Sequence, residues 1–207
     1  MIAVVVATGR EYEALAGVLP KGVVLYRSGT GKVNAAMAAT IAVWCLGPVD
    51  AVVNAGLAGA VSPDVRLGAA YAVERAAQFD VDLSDVDGGD AWTVDGRTSQ
   101  FFDLGAVPGL PSANVGTSDR FAVSRNDAAV LRKAGCGLVD MECAAIAQVC
   151  EKTGTPLYAV KVASDRNDPG EYNANADKRL AALADAVKMA VAAAGRNCGC
   201  FCGEDVV

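Results

Sequence analysis

Three acids stand where this chain leaves apolar runs: Glu11 after "IAVVVATGR", Glu142 within "GLVDMECAAIAQVC", and Asp165 closing "LYAVKVASD". Each has an ordinary structural explanation. Asp140 suits a helix N-cap, whose side chain accepts orphan N–H groups, and Glu142 then falls in the first turn, where the helix dipole favours negative charge. Three such acids at separate strand ends suggest more, because ligands of open α/β sheets bind beyond the carboxyl ends of strands. Three converging at one edge is the arrangement expected of a site that uses one acid, one base and one polar anchor. The chain contains no histidine. That excludes His triads, His metal sites and His general bases, and leaves carboxylates, Lys, Cys or Tyr for proton transfer. Two further features belong to the same edge. Ser164 adjoins Asp165, and "AVVNAG" ends at Asn54-Ala55-Gly56, where glycine lets backbone approach a ligand.

The elements that would position these groups alternate. Apolar, β-branched runs predict strands at Ile2–Ala7, Val23–Tyr26, Ala51–Val53, Ala70–Ala77, Gly137–Val139 and Leu157–Ala163. Helical spacing predicts helices at Glu11–Val18, Arg125–Ala134, Glu142–Lys152 and Asp177–Ala194, and a long buried one in "KVNAAMAATIAVWCL". "DVDLSDVDGGDAWTVDG" is turn-rich and reads as a surface loop or hairpin. Alternating strands and helices predict an α/β domain of three layers, α/β/α, around a central mixed, mostly parallel sheet. One such domain covers residues 1–197, and a Cys-rich tail, 198–207, is expected to be disordered. Cys198, Cys200 and Cys202 lack the paired spacing of structural zinc sites.

Composition narrows the function classes. Over half of the 207 residues are apolar, yet none of the runs reaches the roughly 18 apolar residues of a membrane span. "MIAVVVATGREYEAL" reads as a first strand and not as a signal peptide. Net charge is −6 without a basic block, which argues against nucleic acid as a partner. Cys45, Cys143 and Cys150 lie in apolar segments as free thiols, the pattern of a reducing cytoplasm. "GTGK" lacks P-loop spacing, and no dinucleotide fingerprint is present.

"SGTGKVNAAMAAT", "VVNAGLAGAVSPDVRLG", "TSDRFA", "VDMECAAIAQVC" and "VKVASDRND" follow one another in the order and spacing of the purine nucleoside phosphorylase/nucleosidase superfamily. The chain most resembles the 5′-methylthioadenosine/S-adenosylhomocysteine nucleosidases, from Met1 to about Gly195. The resemblance implies a phosphorylase/hydrolase-like fold, hydrolysis of an N-glycosidic bond to free adenine, no metal or other cofactor, and a homodimer. It also implies roles. Glu11 activates water, Asp165 protonates purine N7 with support from Ser164, and Glu142 holds the ribose diol over Met141. Phe121 stacks on the base, and the Ala122 backbone bonds its edge. Gly56 and Lys161 complete the substrate-binding set. Asp at 165, where 6-oxopurine enzymes of the superfamily often carry Asn, implies a 6-aminopurine.

Departures from the family pattern are Leu57 in place of a small hydroxyl residue, Lys161 where many bacterial members have Arg, and Thr8 where an apolar residue often lines the 5′ pocket. Asp82–Gly96, which usually helps to close the neighbouring subunit's pocket, is short. Futalosine hydrolase is the alternative within the superfamily. Phosphorolysis needs clustered cations, for which only Arg27, Lys32 and Lys161 are candidates. A non-catalytic nucleoside-binding protein is the fourth possibility, against which the three acids stand.

Overall fold

The computed structural model describes residues 1–198 apart from Leu46, Asp87, Gly88, Asp95, Gly96 and Ala122. β1 (Ile2–Val6) lies between β2 (Val23–Arg27) and β3 (Ala51–Ala60), parallel to both. These runs are apolar on successive residues because both faces of the sheet are covered. β3 continues past β1 and pairs in parallel with β8 (Leu157–Asp165), Val52 opposite Leu157. β8 in turn is antiparallel to β4 (Ala70–Gln78). β4 then pairs in parallel with β6 (Ser112–Thr117), and β6 with β7 (Cys136–Asp140). β7 returns antiparallel to the end of β3, with Gly59 opposite Val139. Strands β3, β8, β4, β6 and β7 therefore close a ring, from which β1 and β2 extend as an open wing. The short β5 (Phe102–Asp103) adds to β4. The sheet is α/β in type, mixed, and mostly parallel, as expected.

Side-chain alternation sends the core to two faces. Val52, Ala58 and Ala60 of β3 pack with α2 (Lys32–Cys45) and α4 (Cys143–Thr153). Ala51, Val53 and Ala55, one residue out of step, pack with Leu15 of α1 (Gly9–Leu15) and with Leu183, Val187 and Val191 of α5 (Pro169–Cys198). Alanines at 35, 38 and 39 of α2 and at 144, 145 and 147 of α4 let those two helices approach closely. α3 (Arg125–Lys133) caps a third cluster around Leu131, Phe79 and Val139.

Four expectations are corrected. β3 does not end at Gly56. It runs to Ala60, because its second half finds new partners in β8 and β7. α2 is not buried throughout: Val33, Met37 and Trp44 are 80%, 55% and 74% exposed, and only its alanine face is covered. α5 begins at Pro169, two turns before Asp177, since proline is tolerated at the first helical position. β6 and β5 were not predicted. "SANVGT" carries too few large apolar residues to read as a strand, and is one because β4 and β7 flank it. Cys198 ends α5, and the rest of the tail, with Cys200 and Cys202, lies outside the described residues.

Candidate active site

The carboxyl ends of β1, β7 and β8 meet the second half of β3 around a cavity of about 250 Å³. Its lining includes Thr8, Glu11, Leu57, Phe121, Met141, Glu142, Ser164, Asp165 and Tyr172. All three acids anticipated from the sequence thus face one space, and all are buried.

Glu11 is fixed by its own helix start. Thr8 caps α1 by accepting from the Glu11 N–H, and Glu11 Oε2 accepts in return from the Thr8 N–H at 2.8 Å, the Thr8 hydroxyl at 3.0 Å and the Ala7 N–H at 3.1 Å. This is a capping box. Oε1 accepts from the Leu57 N–H at 2.8 Å. Oε2 is saturated, and Oε1 keeps a lone pair for one more donor. Gly56 does not line the cavity but lies beneath Glu11. A Cβ there would stand 2.8 Å from Oε1, so no other residue fits without moving the carboxylate.

Glu142 differs from its expected place. It is the residue before the first turn of α4, and its side chain makes no cap there. Asp140 does cap α4, accepting from the Cys143 N–H at 2.9 Å, while the Thr117 hydroxyl accepts from Ala144 N–H at 3.0 Å. Glu142 instead accepts from the Gly31 N–H, at 2.9 Å, at the start of α2. The acid therefore complements the dipole of a helix distant in sequence. The next N–H of α2, Lys32, donates to Asp119 at 2.7 Å, and the Lys32 ammonium pairs with Asp80 at 2.7 Å. Asp80 also accepts from the Asp119 N–H. The start of α2 is thereby tied to the segment carrying Phe121. Burial, and then the neighbouring Asp140, push the Glu142 carboxyl up to about 7, against Lys161 and the Gly31 N–H, which hold it down.

Lys161 does not reach the cavity. The register places it opposite Gly56, with its ammonium 2.7 Å from Asp140. Burial alone would lower its pKa, but Asp140 and Glu142 outweigh that and raise it, so it remains a cation. Lys161 is thus outside the cavity lining, where it was expected to bind substrate, and is a buried counter-charge to Asp140, which does line the cavity. Of the cations considered for phosphate, Lys32 and Lys161 are thus occupied, and Arg27 ends β2 outside the cavity lining.

Asp165 closes β8. The Ser164 hydroxyl donates to Oδ2 at 2.6 Å, and the Asp168 N–H donates to Oδ1 at 3.0 Å. It is both a turn cap and a cavity wall. Phe121, 43% exposed, lies edge-on to Tyr172 with ring centres 5.1 Å apart. Tyr172 was not anticipated, because the first two turns of α5 were not. Burial, and then Glu11, hold its phenol above the ordinary value, so it keeps its proton. Ala122 lies outside the described residues. Among the described residues, no group of three or more His, Cys, Asp or Glu is placed to hold a metal ion.

The sequence profile of the phosphorylase superfamily matches residues 2–194. The 5′-methylthioadenosine/S-adenosylhomocysteine nucleosidase of Bacillus pumilus is 31% identical over 173 residues, 70% of this chain and 68% of that one. The chain belongs to this nucleosidase family. Among solved structures, the family's Neisseria meningitidis enzyme, in complex with methylthio-immucillin-A, superposes with a TM-score of 0.78 at 26% identity over 92% of this chain and 97% of its own. Futalosine hydrolase of Helicobacter pylori has the same fold, with a TM-score of 0.83 at 21% identity over 92% and 97% of the two chains. The three acids and the Phe121–Tyr172 pair line one small cavity of this chain.

Proposed function

We propose that this cavity hydrolyses the N-glycosidic bond of 5′-methylthioadenosine or S-adenosylhomocysteine, releasing adenine and a 5′-substituted ribose. The convergence of Glu11, Glu142 and Asp165 on one cavity in a nucleosidase-family chain carries this reading. The base lies against Phe121, and the ribose lies over Met141 with its diol donating to Glu142. The C1′–N9 bond breaks and its electrons pass to the purine, whose N7 takes the proton of Asp165. Water adds to C1′ and yields its proton to Glu11 Oε1. Glu142, ionised, stabilises the positive charge that develops on the sugar. This bond change needs neither metal nor redox partner.

Incubation with a panel of 5′-substituted nucleosides, with and without phosphate, tests it. Free base should be released together with free 5-substituted ribose, independently of phosphate, and faster from 5′-methylthioadenosine than from futalosine. Formation of the sugar 1-phosphate would identify a phosphorylase. No release from any nucleoside would leave a binding protein.

The same reading extends to the setting. The two-faced core supports the three-layer α/β/α arrangement. The exposed stripe of α2 supports a homodimer. Unpaired Cys45, Cys136, Cys143 and Cys150 support a reducing, cytoplasmic location. Among the described residues no helix is long and apolar enough to cross a membrane.

A further inference from the structure

A second concavity, of about 550 Å³, adjoins the first across the segment after Phe121. Three arginines line it from two elements. Arg125 and Arg132 stand on one face of α3, two turns apart, with Ala128 between them, and Arg166 stands on the turn after β8. No Asp or Glu lines this space. Among the described residues none of the three guanidinium groups is within ion-pair distance of a carboxylate, although the chain as a whole carries net charge −6. Two are pinned by one loop: Arg132 donates to Val61 O at 3.0 Å and Arg166 to Ser62 O at 2.8 Å. Each contact uses one of a guanidinium's five N–H groups, and among the described residues Arg125 has no side-chain partner. Neighbouring acids have other partners. Asp127 accepts from the Ser124 N–H and pairs with Arg120, Asp64 is bonded to Ser62, and Glu171 accepts from the Arg166 backbone N–H at 2.7 Å.

Like charges gathered without counter-charge raise the local potential and favour an anion. Planar guanidinium forks recognise phosphate oxygens two at a time. We infer that this concavity is a binding site for a compact, multiply charged phosphate compound, distinct from the nucleoside cavity. The concavity holds all three arginines and shares no lining residue with the nucleoside cavity. Its wall toward the nucleoside cavity is the Asn167 side chain, whose amide accepts from the Val123 N–H at 2.9 Å and donates to Val123 O at 2.8 Å. The same two bonds hold the strand of chain that presents Phe121, so an occupant would bear on the base-binding segment from behind.

Isothermal titration of the full chain with pyrophosphate, at constant ionic strength, tests the site. One equivalent should bind with a Kd below about 1 mM. Arg125→Glu should weaken it at least about tenfold, as expected for loss of a charge-assisted contact, without changing kcat/KM on 5′-methylthioadenosine in phosphate-free buffer. Among the described residues the Arg125 side chain makes no hydrogen bond or ion pair that its replacement would break, so this variant should melt with the wild type. Arg125→Lys should retain most of the affinity, which separates a charge effect from a change of shape. Absence of binding, equal binding by Arg125→Glu, or displacement of pyrophosphate by saturating adenine would overturn the proposal. The proposal does not depend on the catalytic reading, because titration reads it without turnover.

Discussion

At the scale of single residues, the site is built from acids already engaged elsewhere, and the predictions follow from what each engagement leaves free. Glu11→Gln can still serve the capping box through its carbonyl oxygen, but it cannot take a proton from water. Turnover should fall by about 10²–10⁴ while binding of a nucleoside analogue persists. Unchanged turnover would reduce Glu11 to a helix-start residue. Asp165→Asn can still accept from the Asp168 N–H, so its melting temperature should hold while adenine release falls at least about 10²-fold. Glu142 gives a pH signature. Its carboxyl is raised from 4.5 to about 7 in the fold, so between those values the folded state binds more protons than the unfolded one. Its contribution to stability is then complete below about 4.5 and is lost as pH rises through 7. Diol binding runs the other way, because only the ionised form accepts two hydroxyls. The kcat/KM profile should fall about tenfold per unit below a break near 7, while the melting temperature of wild type, but not of Glu142→Gln, declines from pH 5 to pH 8. These three acids were legible in the sequence because an acid after an apolar run is easy to see. The hydrogen bond of Glu142 to Gly31 was not, since it joins positions 111 residues apart.

At the scale of elements, packing decided what local pattern left open. Long apolar runs gave β1, β3, β8 and the helices that carry their caps. β6 was missed because a strand held between two others needs little propensity of its own. The start of α5 lies ahead of the expected Asp177–Ala194 helix because "DPGEYNANA" carries only one large apolar side chain, Tyr172, and that residue goes unnoticed with it. The composition of α2 suggests burial throughout, although only Ala35, Ala38, Ala39 and Ala42 are fully buried. Gly56 shows how an element can serve the site without touching the ligand. Gly56→Ala puts a methyl against Glu11 Oε1 in the middle of β3, where the strand is paired with β8. Misplacing that oxygen by about 1 Å costs on the order of 10²-fold, so kcat should collapse while the far-ultraviolet circular dichroism spectrum is unchanged. Retained kcat would mean that the carboxylate has slack which its four hydrogen bonds do not suggest.

At the scale of the whole molecule, one face remains to be covered. Val33, Met37 and Trp44 fall within about 40° of one another around α2, at 3.6 residues per turn. The start of that helix holds Glu142 and, through Asp119, the Phe121 segment, so a partner docked on α2 would press on the substrate-binding shell. Trp44→Glu should convert a dimer to a monomer by light scattering at micromolar concentration, with a rise in KM larger than the change in kcat. A monomeric wild type would leave the stripe without that role.

The closed ring of five strands has a consequence for how the protein opens. β8 carries Ser164 and Asp165 and has a neighbour on each side for part of its length, in a ring without a free edge. It cannot peel away by itself. Its amide protons should therefore exchange with deuterium only through global unfolding, at a single slow rate shared with the middle of β3. The N–H groups of Gly31 and Lys32, held only by side chains at a helix start, should exchange orders of magnitude sooner. Asp165 would then stand on the most slowly opening part of the chain, and the Glu142 carboxylate would hang from one of the fastest.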